Sequence, residues 1–552
     1  MRKNYVSPEE TIRTIDNIIR QLIKICPLFL IDVKTGRLCS TAEQVRLFKA
    51  DSAFKELVSS TTVTLDKARI MRVVTKYFQY AMFSHVWEGK EPLFQDVSVV
   101  SSVWDLEPSP QNEKLRKFCQ LVRDGEENYH WGWSDTCCVD KTTSTTLNVS
   151  LMSMYKWYED SAETLVYLAD IESPSSLGDL TKSLWMTRSW TLQELLAPKV
   201  IRFYDRNWRP YLNDTRTNHK ESSKIMQELA SAIQLAPGTI VTFHPGDLSV
   251  REKLRLASTR NATIEEDEAY SLIGIFSSDI RPHYGEREAA LGHLLEEIVS
   301  RSGEATVLAW TGNSSTYNSC LPASLVVYSR APFTISTVVP GGVETRVEGL
   351  RSTLSAHKAK AIYKRVARLP PARFANRRLY LPCIVFPAKR LGVQQLGSAH
   401  LQCNRYLAKV SGLGKVEFST TDVLPLQEPR KLVFVHPWIR DIRGGDGGSL
   451  WADEPDSDSD VDNITDADSG DADSDSDATS TPLSAVPSAD VDDFTRALLM
   501  IVRLGQPFGA LVLLEQSDGS FKRVASEDEI VVQIERSVVS LKDVRAKVVE
   551  VR

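Results

Sequence analysis

The chain has 552 residues, of which 42% are hydrophobic and 25% charged, so it is too long for one ordinary domain and rich enough in apolar residues for a sizeable core. Its formal net charge of −6 hides a segregation, because Ala452 to Ser480 carries twelve acidic residues and no basic one, leaving about +6 on the rest. That mild, scattered basic charge argues against a nucleic-acid-binding surface.

In chain order, the first element is an amphipathic helix over residues 8 to about 25. Ile12, Ile15, Ile18, Ile19, Leu22 and Ile23 recur at helical spacing, and Ser7 before Pro8 is a good N-cap. The N-terminus lacks a compact apolar signal segment, and no window is long and apolar enough to span a bilayer, so a cytoplasmic protein is expected. From about residue 77 strands and helices alternate. "YAMFSHVW" reads as a strand, "EKLRKFCQLVRD" as a helix, and "YHWGWSDTCCVD" as a strand entering a polar loop. "TLNVSLMSMYKWYEDS" is helical, "ETLVYLAD" a strand, "TRSWTLQELLA" a helix stopped by Pro198, and "KVIRFYD" a strand. This alternation predicts a parallel, doubly wound α/β sheet.

Residues 218–312 read as mainly helical. Beyond that, "ASLVVYS", "RRLYLPCIVFP", "RKLVFVHPW" and "ALLMIVRL" are short, apolar and separated by turn residues, which predicts a β-rich C-terminal domain over 313–451 and 481–552. The Asp/Ser run at 452–480 has almost nothing to bury and is expected to be a disordered acidic insert. Its "DSDSD" units lack the glycine and glutamate of a calcium loop. The eight cysteines form no C-x-x-C pair and the nine histidines are scattered, so no zinc-ligand spacing appears and reduced thiols are expected. No G-x-S-x-G elbow and no phosphate-binding G-x-x-x-x-G-K-[ST] loop is present.

Three blocks of the α/β region stand out together: "YAMFSHVWEGKEPLFQDV" (80–97), "WSDTCCVDK" (133–141) and "LWMTRSWTLQELLAPKVIRFYDRNW" (184–208). With "REKLRLASTRNATIEEDEAYSLIGIF" (251–276) and "HYGEREAALGHLLEEIV" (283–299) they resemble, in order and spacing, the fungal heterokaryon-incompatibility (HET) domain over roughly residues 28–312. There are departures from the family pattern: Val86 precedes the tryptophan of the first block, Ser189 replaces a common glycine, Arg287 follows "YGE", and "TTSTTLNVS" replaces acidic residues. The resemblance divides the chain into an N-terminal helix (1–27), a HET core (28–217), a helical extension (218–312) and the β-rich remainder. It implies a role in fungal non-self recognition and programmed cell death, with an unknown protein recognition partner.

The order of elements is also similar to a TIR domain, a flavodoxin-like α/β fold, and "SWTLQEL" resembles the TIR motif that bears the catalytic glutamate of NAD⁺-cleaving members. That resemblance maps the catalytic role onto Glu194, with Trp190 beside it on the helix, and implies NAD⁺ as a substrate and self-association. It places Ser84, His85 and Trp87 at a strand end where the nicotinamide or ribose would sit. Glu88 and Lys90 would contact ribose or diphosphate, and Asp135 and Asp140 would line the pocket or cap the next helix. One carboxylate suits this chemistry, because nicotinamide leaves NAD⁺ without protonation, whereas ordinary glycosidases need two. The competing reading makes Glu194 structural, bonded to backbone amides or to Arg188 or Arg202, and the protein a non-enzymatic oligomerisation scaffold. Trp131, Trp133 and Trp157 are most simply core. Cys137 and Cys138 read as buried small residues, and Arg260, Glu266, Asp267 and Tyr270 as a packing and ion-pair cluster.

Overall fold

The computed structural model describes residues 6–60, 65–331, 340–395, 403–439, 448–449, 493–534 and 545–552. The acidic segment at 452–480 lies outside them. Two compact units are formed, one by Met1–Ile298 with Ser324–Ser329 and the other by Val299–Ala323 with Arg330–Arg552.

The first unit is built on a six-stranded sheet: β1 (Phe29–Asp32), β2 (Arg37–Ser40), β3 (Tyr80–His85), β4 (Trp131–Ser134), β5 (Glu163–Tyr167) and β6 (Ile201–Tyr204), in the order β2-β1-β4-β3-β5-β6. β4, β3, β5 and β6 are mutually parallel, while the β1–β2 hairpin joins the β4 edge antiparallel. Every residue of β3 is buried, as a central strand covered on both faces requires. Helix Pro110–Asp124 connects β3 to β4, and helix Ser144–Asp160 connects β4 back past β3 to β5. Right-handed crossovers running in opposite directions along the sheet put these helices on opposite faces, so the carboxyl ends of β3 and β5 flank a topological switch point.

The N-terminal helix runs Pro8–Leu22, capped by Ser7 as its spacing predicts. Its buried Ile15, Ile18 and Ile19 join Phe48, Leu57, Ile70, Val74 and Phe78 in one apolar cluster. The β1–β2 hairpin has no strong alternating signal in the sequence and forms because it completes a sheet edge. All eight cysteines are free thiols.

Short helices over Val250–Ala257, Asp267–Tyr270 and Ile273–Phe276 pack on the α/β core. Gly274 lies against helix Ser144–Asp160 so closely that an added Cβ would collide with the Cβ and ring of Tyr155. Gly274→Ala is therefore expected to cost about 1–3 kcal/mol by overpacking. A urea midpoint equal to that of the wild type would refute this contact.

The second unit is β-rich. Strand Arg378–Gln395 pairs antiparallel with Asn404–Val410, Leu432–Ile439 and Ala546–Val551. Arg523, almost fully buried, donates to the carbonyls of Leu308 (2.8 Å) and Trp310 (2.6 Å) and lies 3.7 Å over the Trp310 ring, tying residues 305–310 to these strands. Two segments expected as strands are helical. "ALLMIVRL" belongs to helix Asp493–Leu504, with Ala497, Leu498, Ile501 and Leu504 buried at helical spacing, and "ASLVVYS" contains a 3₁₀ turn, Leu325–Ser329. A short apolar run satisfies both periods, so periodicity alone does not separate a strand from a buried helix.

Candidate functional site

The carboxyl end of β3 supplies Ser84 and His85, and the β5–β6 crossover supplies Trp185 and Glu194. The crossover is not one continuous helix over 187–197. It consists of two short turns, Leu184–Thr187 and Thr191–Leu196, broken at Arg188 and Ser189, where the backbone pairs with Asn261. The second turn is buried on all sides, so it offers no open helix face on which Trp190 could stand beside Glu194. Trp190 precedes the turn and acts on the Asp267 carboxyl, while Glu194 faces a different set of groups.

Glu194 is 7% exposed. Its Oε2 accepts a short hydrogen bond from the Ser84 hydroxyl, and that hydroxyl accepts from the Trp185 indole at 2.7 Å. Tyr158 also acts on the carboxyl, drawing it down. Neither Arg188 nor Arg202 pairs with it: Arg188 bonds Thr263 and Arg202 bonds Glu163. Burial pushes the Glu194 carboxyl up to about 8, against the hydrogen bond from Ser84 and with a further upward push from Asp135. At neutral pH the buried carboxyl is therefore held mainly protonated.

His85 stacks on Phe83 at 4.3 Å, and neither of its ring nitrogens has a hydrogen-bond partner. Burial, reinforced by Lys114 and Lys141, holds the imidazole well below the usual histidine range, so it is neutral and its 3.8 Å approach to Glu91 is not an ion pair. Glu91 and Lys114 form the buried pair at this strand end. Lys114 Nζ lies 2.5 Å from Glu91 Oε1, 3.4 Å from the Val86 carbonyl and 3.6 Å from the exposed Glu88 carboxylate. Glu91 Oε1 also accepts from the Glu88 backbone N–H at 2.8 Å, closing the loop after β3.

Trp87 stands 44% exposed just after β3. Its indole donates to Asp135 Oδ2 at 2.8 Å, and Lys141 Nζ lies 3.7 Å over its ring. Burial raises the Asp135 carboxyl against the pull of Lys141 and the Trp87 bond. Asp140 faces outward and organises the entry to helix Ser144–Asp160, accepting from the Thr142 backbone and hydroxyl, Thr143 and Gln95. Lys90 is exposed in the loop. The structure thus brings Glu194 and Ser84 together, and separately Trp87 and Asp135, while Asp140, Glu88 and Lys90 stand on the surrounding loops.

Several groups here escaped sequence reasoning. Lys114 lies on the buried face of its helix with Leu115, Phe118, Cys119 and Val122, a spacing that marks it as unusual among surface lysines. Tyr158 shares the buried face of its helix with Leu151, Met154 and Tyr155. The later blocks clamp each other: Glu266 accepts the backbone N–H groups of Gly285 (2.8 Å) and Arg287 (2.9 Å), Tyr270 donates to Glu286 (2.6 Å), and Tyr284 donates to Asp267 (2.7 Å). Among the described residues no group of three or more His, Cys, Asp or Glu has a metal-holding arrangement, and no helix is long and apolar enough to cross a membrane.

Residues 80–178, from the first residue of β3 through β5 and past its end, match the family described as Heterokaryon incompatibility protein (HET). The chain carries a HET domain. The chain is also similar to Vegetative incompatibility protein HET-E-1 of Podospora anserina, 35% identical over 237 residues. That match covers 41% of this chain and 16% of the Podospora protein, so the chain spans under a fifth of that relative's length. No solved structure matches the chain significantly. The family match contains Ser84, His85, Asp135 and Tyr158 and ends before Trp185 and Glu194, so the HET domain's signature covers the partners of the buried carboxyl while the carboxyl itself lies beyond it.

Proposed function

We propose that the protein acts in heterokaryon incompatibility, as a HET-domain effector of non-self recognition and cell death that cleaves NAD⁺ when it self-associates. The observation that carries this reading is the Glu194 carboxyl beside Ser84 at the carboxyl end of β3, the crevice position of an open parallel sheet, with no arginine paired to it. In the reaction, water would form a bond to the anomeric carbon as the carbon–nitrogen bond to nicotinamide breaks, and nicotinamide would leave neutral with the bonding pair. Glu194, once ionised, would stabilise the positive charge developing on the ribose and take up the proton released by water. Its raised position requires ionisation before it can act, and the cationic nicotinamide ring beside it favours that form.

The test is NAD⁺ turnover by the purified chain at several protein concentrations. Turnover is expected to rise more than proportionally with concentration, to increase with pH toward about 8, and to fall about a hundred-fold or more in Glu194→Ala. Equal, negligible turnover in both proteins under assembling conditions overturns the enzymatic reading. One observation favours the alternative of a non-enzymatic oligomerisation scaffold: Glu194 is only 7% exposed, so a ligand must displace covering side chains to reach it.

A further inference from the structure

Trp87 is the only exposed tryptophan among the described residues. It stands two residues beyond β3 and three beyond Ser84, so its backbone is at most about 11 Å from that of the serine that bonds Glu194. The ring is not free to turn, because the indole donates to Asp135 Oδ2 at 2.8 Å. Asp135 also acts on Glu194, so the indole and the buried carboxyl share one acidic neighbour. A cation already lies on this ring: Lys141 Nζ stands 3.7 Å over it. Lys141 is itself exposed and makes no hydrogen bond or ion pair with another described residue. Only the ring face and nearby acids, Asp135 foremost, draw its ammonium there. An indole attracts positive charge because its π-electrons are negative above the plane, and at an exposed position that attraction is weak enough for another cation to take over.

We propose that Trp87 is a charge-selective platform for a positively charged aromatic ring, and that Lys141 is an internal occupant which such a ring displaces. In the NAD⁺-cleaving reading, on which this inference rests, the ring is the oxidised nicotinamide. The platform then selects NAD⁺ over NADH, whose nicotinamide carries no charge. A flat cationic ring stacks on the indole as well as placing its charge there, which an ammonium cannot do, and this difference drives the exchange. Lys141 acts as a brake, because every ring that reaches the platform has first to move it.

The test is a ligand-observed NMR titration of the full chain with 1-methylnicotinamide, which carries the cationic ring and has no ribose to lose, and with neutral nicotinamide. The wild type is expected to bind the cation more tightly than nicotinamide. Lys141→Met keeps the stem and removes the competing charge, and should tighten the cation by about two- to five-fold. Lys141→Arg keeps a cation over the ring and should not. Trp87→Leu should erase the preference for the cation, and Trp87→Phe, which retains a ring face, should keep part of it. Both positions are exposed, so the variants should fold, which circular dichroism checks. A Lys141→Met protein that binds the cation like the wild type, or a wild type that binds the cation no better than nicotinamide, overturns the proposal. None of these measurements needs turnover. Charge-selective binding without NAD⁺ cleavage keeps the platform and sinks the enzymatic reading, and cleavage without charge-selective binding does the reverse.

Discussion

Lys114→Met is expected to destabilise the unit formed by Met1–Ile298 by about 3–5 kcal/mol, among the largest single-residue effects in it. Both side chains of the Lys114–Glu91 pair are nearly fully buried, 4% and 3% exposed, and 2.5 Å apart. Methionine fills the space of the lysine stem, so packing is kept and the loss reports the stranded carboxylate. Burial already raises Glu91 above its ordinary value with the lysine present, and removing the lysine raises it further. A carboxyl raised in the folded state binds its proton more tightly there than when unfolded. The variant therefore loses stability relative to wild type as pH rises above about 4.5, and the deficit is smaller at pH 5 than at pH 8. Lys114→Met/Glu91→Gln should recover most of the loss, because glutamine keeps an acceptor for the Glu88 N–H without the charge. Urea titrations of the three proteins at the two pH values check this. A single variant within about 1 kcal/mol of wild type at pH 8 would show that the pair is not desolvated as described.

Glu194→Gln should stabilise the same unit relative to wild type, increasingly so with rising pH. The wild-type carboxyl titrates at about 4.5 in the unfolded chain and about 8 in the folded one, so across that window the folded state holds a proton that the unfolded state has released. Stability then falls with pH by about 1.4 kcal/mol per unit, and the total is on the order of a few kcal/mol by pH 9. Below pH 4.5 both states are protonated and the two proteins should nearly coincide. All other titrating groups are common to both, which isolates Glu194. Parallel stability curves from pH 5 to pH 9 would mean that the carboxyl is solvated in the folded state. This measurement separates a desolvated acid from a surface one whether or not NAD⁺ is turned over.

Much of the α/β unit was legible because local and global preferences agree there. "YAMFSH" and "ETLVY" carry apolar runs, Tyr80–Phe83 and Leu165–Tyr167, as buried parallel strands must, and the helices between them carry the matching 3.6-residue spacing. The apolar run in "ALLMIVRL" satisfied a strand and a buried helix equally, and it forms part of the helix Asp493–Leu504. The site was legible to the level of the block and not of the contact. "SWTLQEL" marked Glu194 as an unusual acid, yet helical spacing paired it with Trp190, whereas the break at Arg188 and Ser189 turns Trp190 to Asp267 and leaves Glu194 facing Ser84 and Tyr158.

The sequence by itself determined the alternating strands and helices of the first unit, the N-capped amphipathic helix at its start and the HET signature, because periodicity and capping act over a few residues. Only the tertiary structure decided that Lys114 meets Glu91, that Ser84 bridges Trp185 to Glu194, and that Arg260 is buried with a free guanidinium nitrogen. These contacts join residues 23 to 110 positions apart, and their strength depends on water being excluded. Desolvation is a property of the packed unit, which no local pattern encodes.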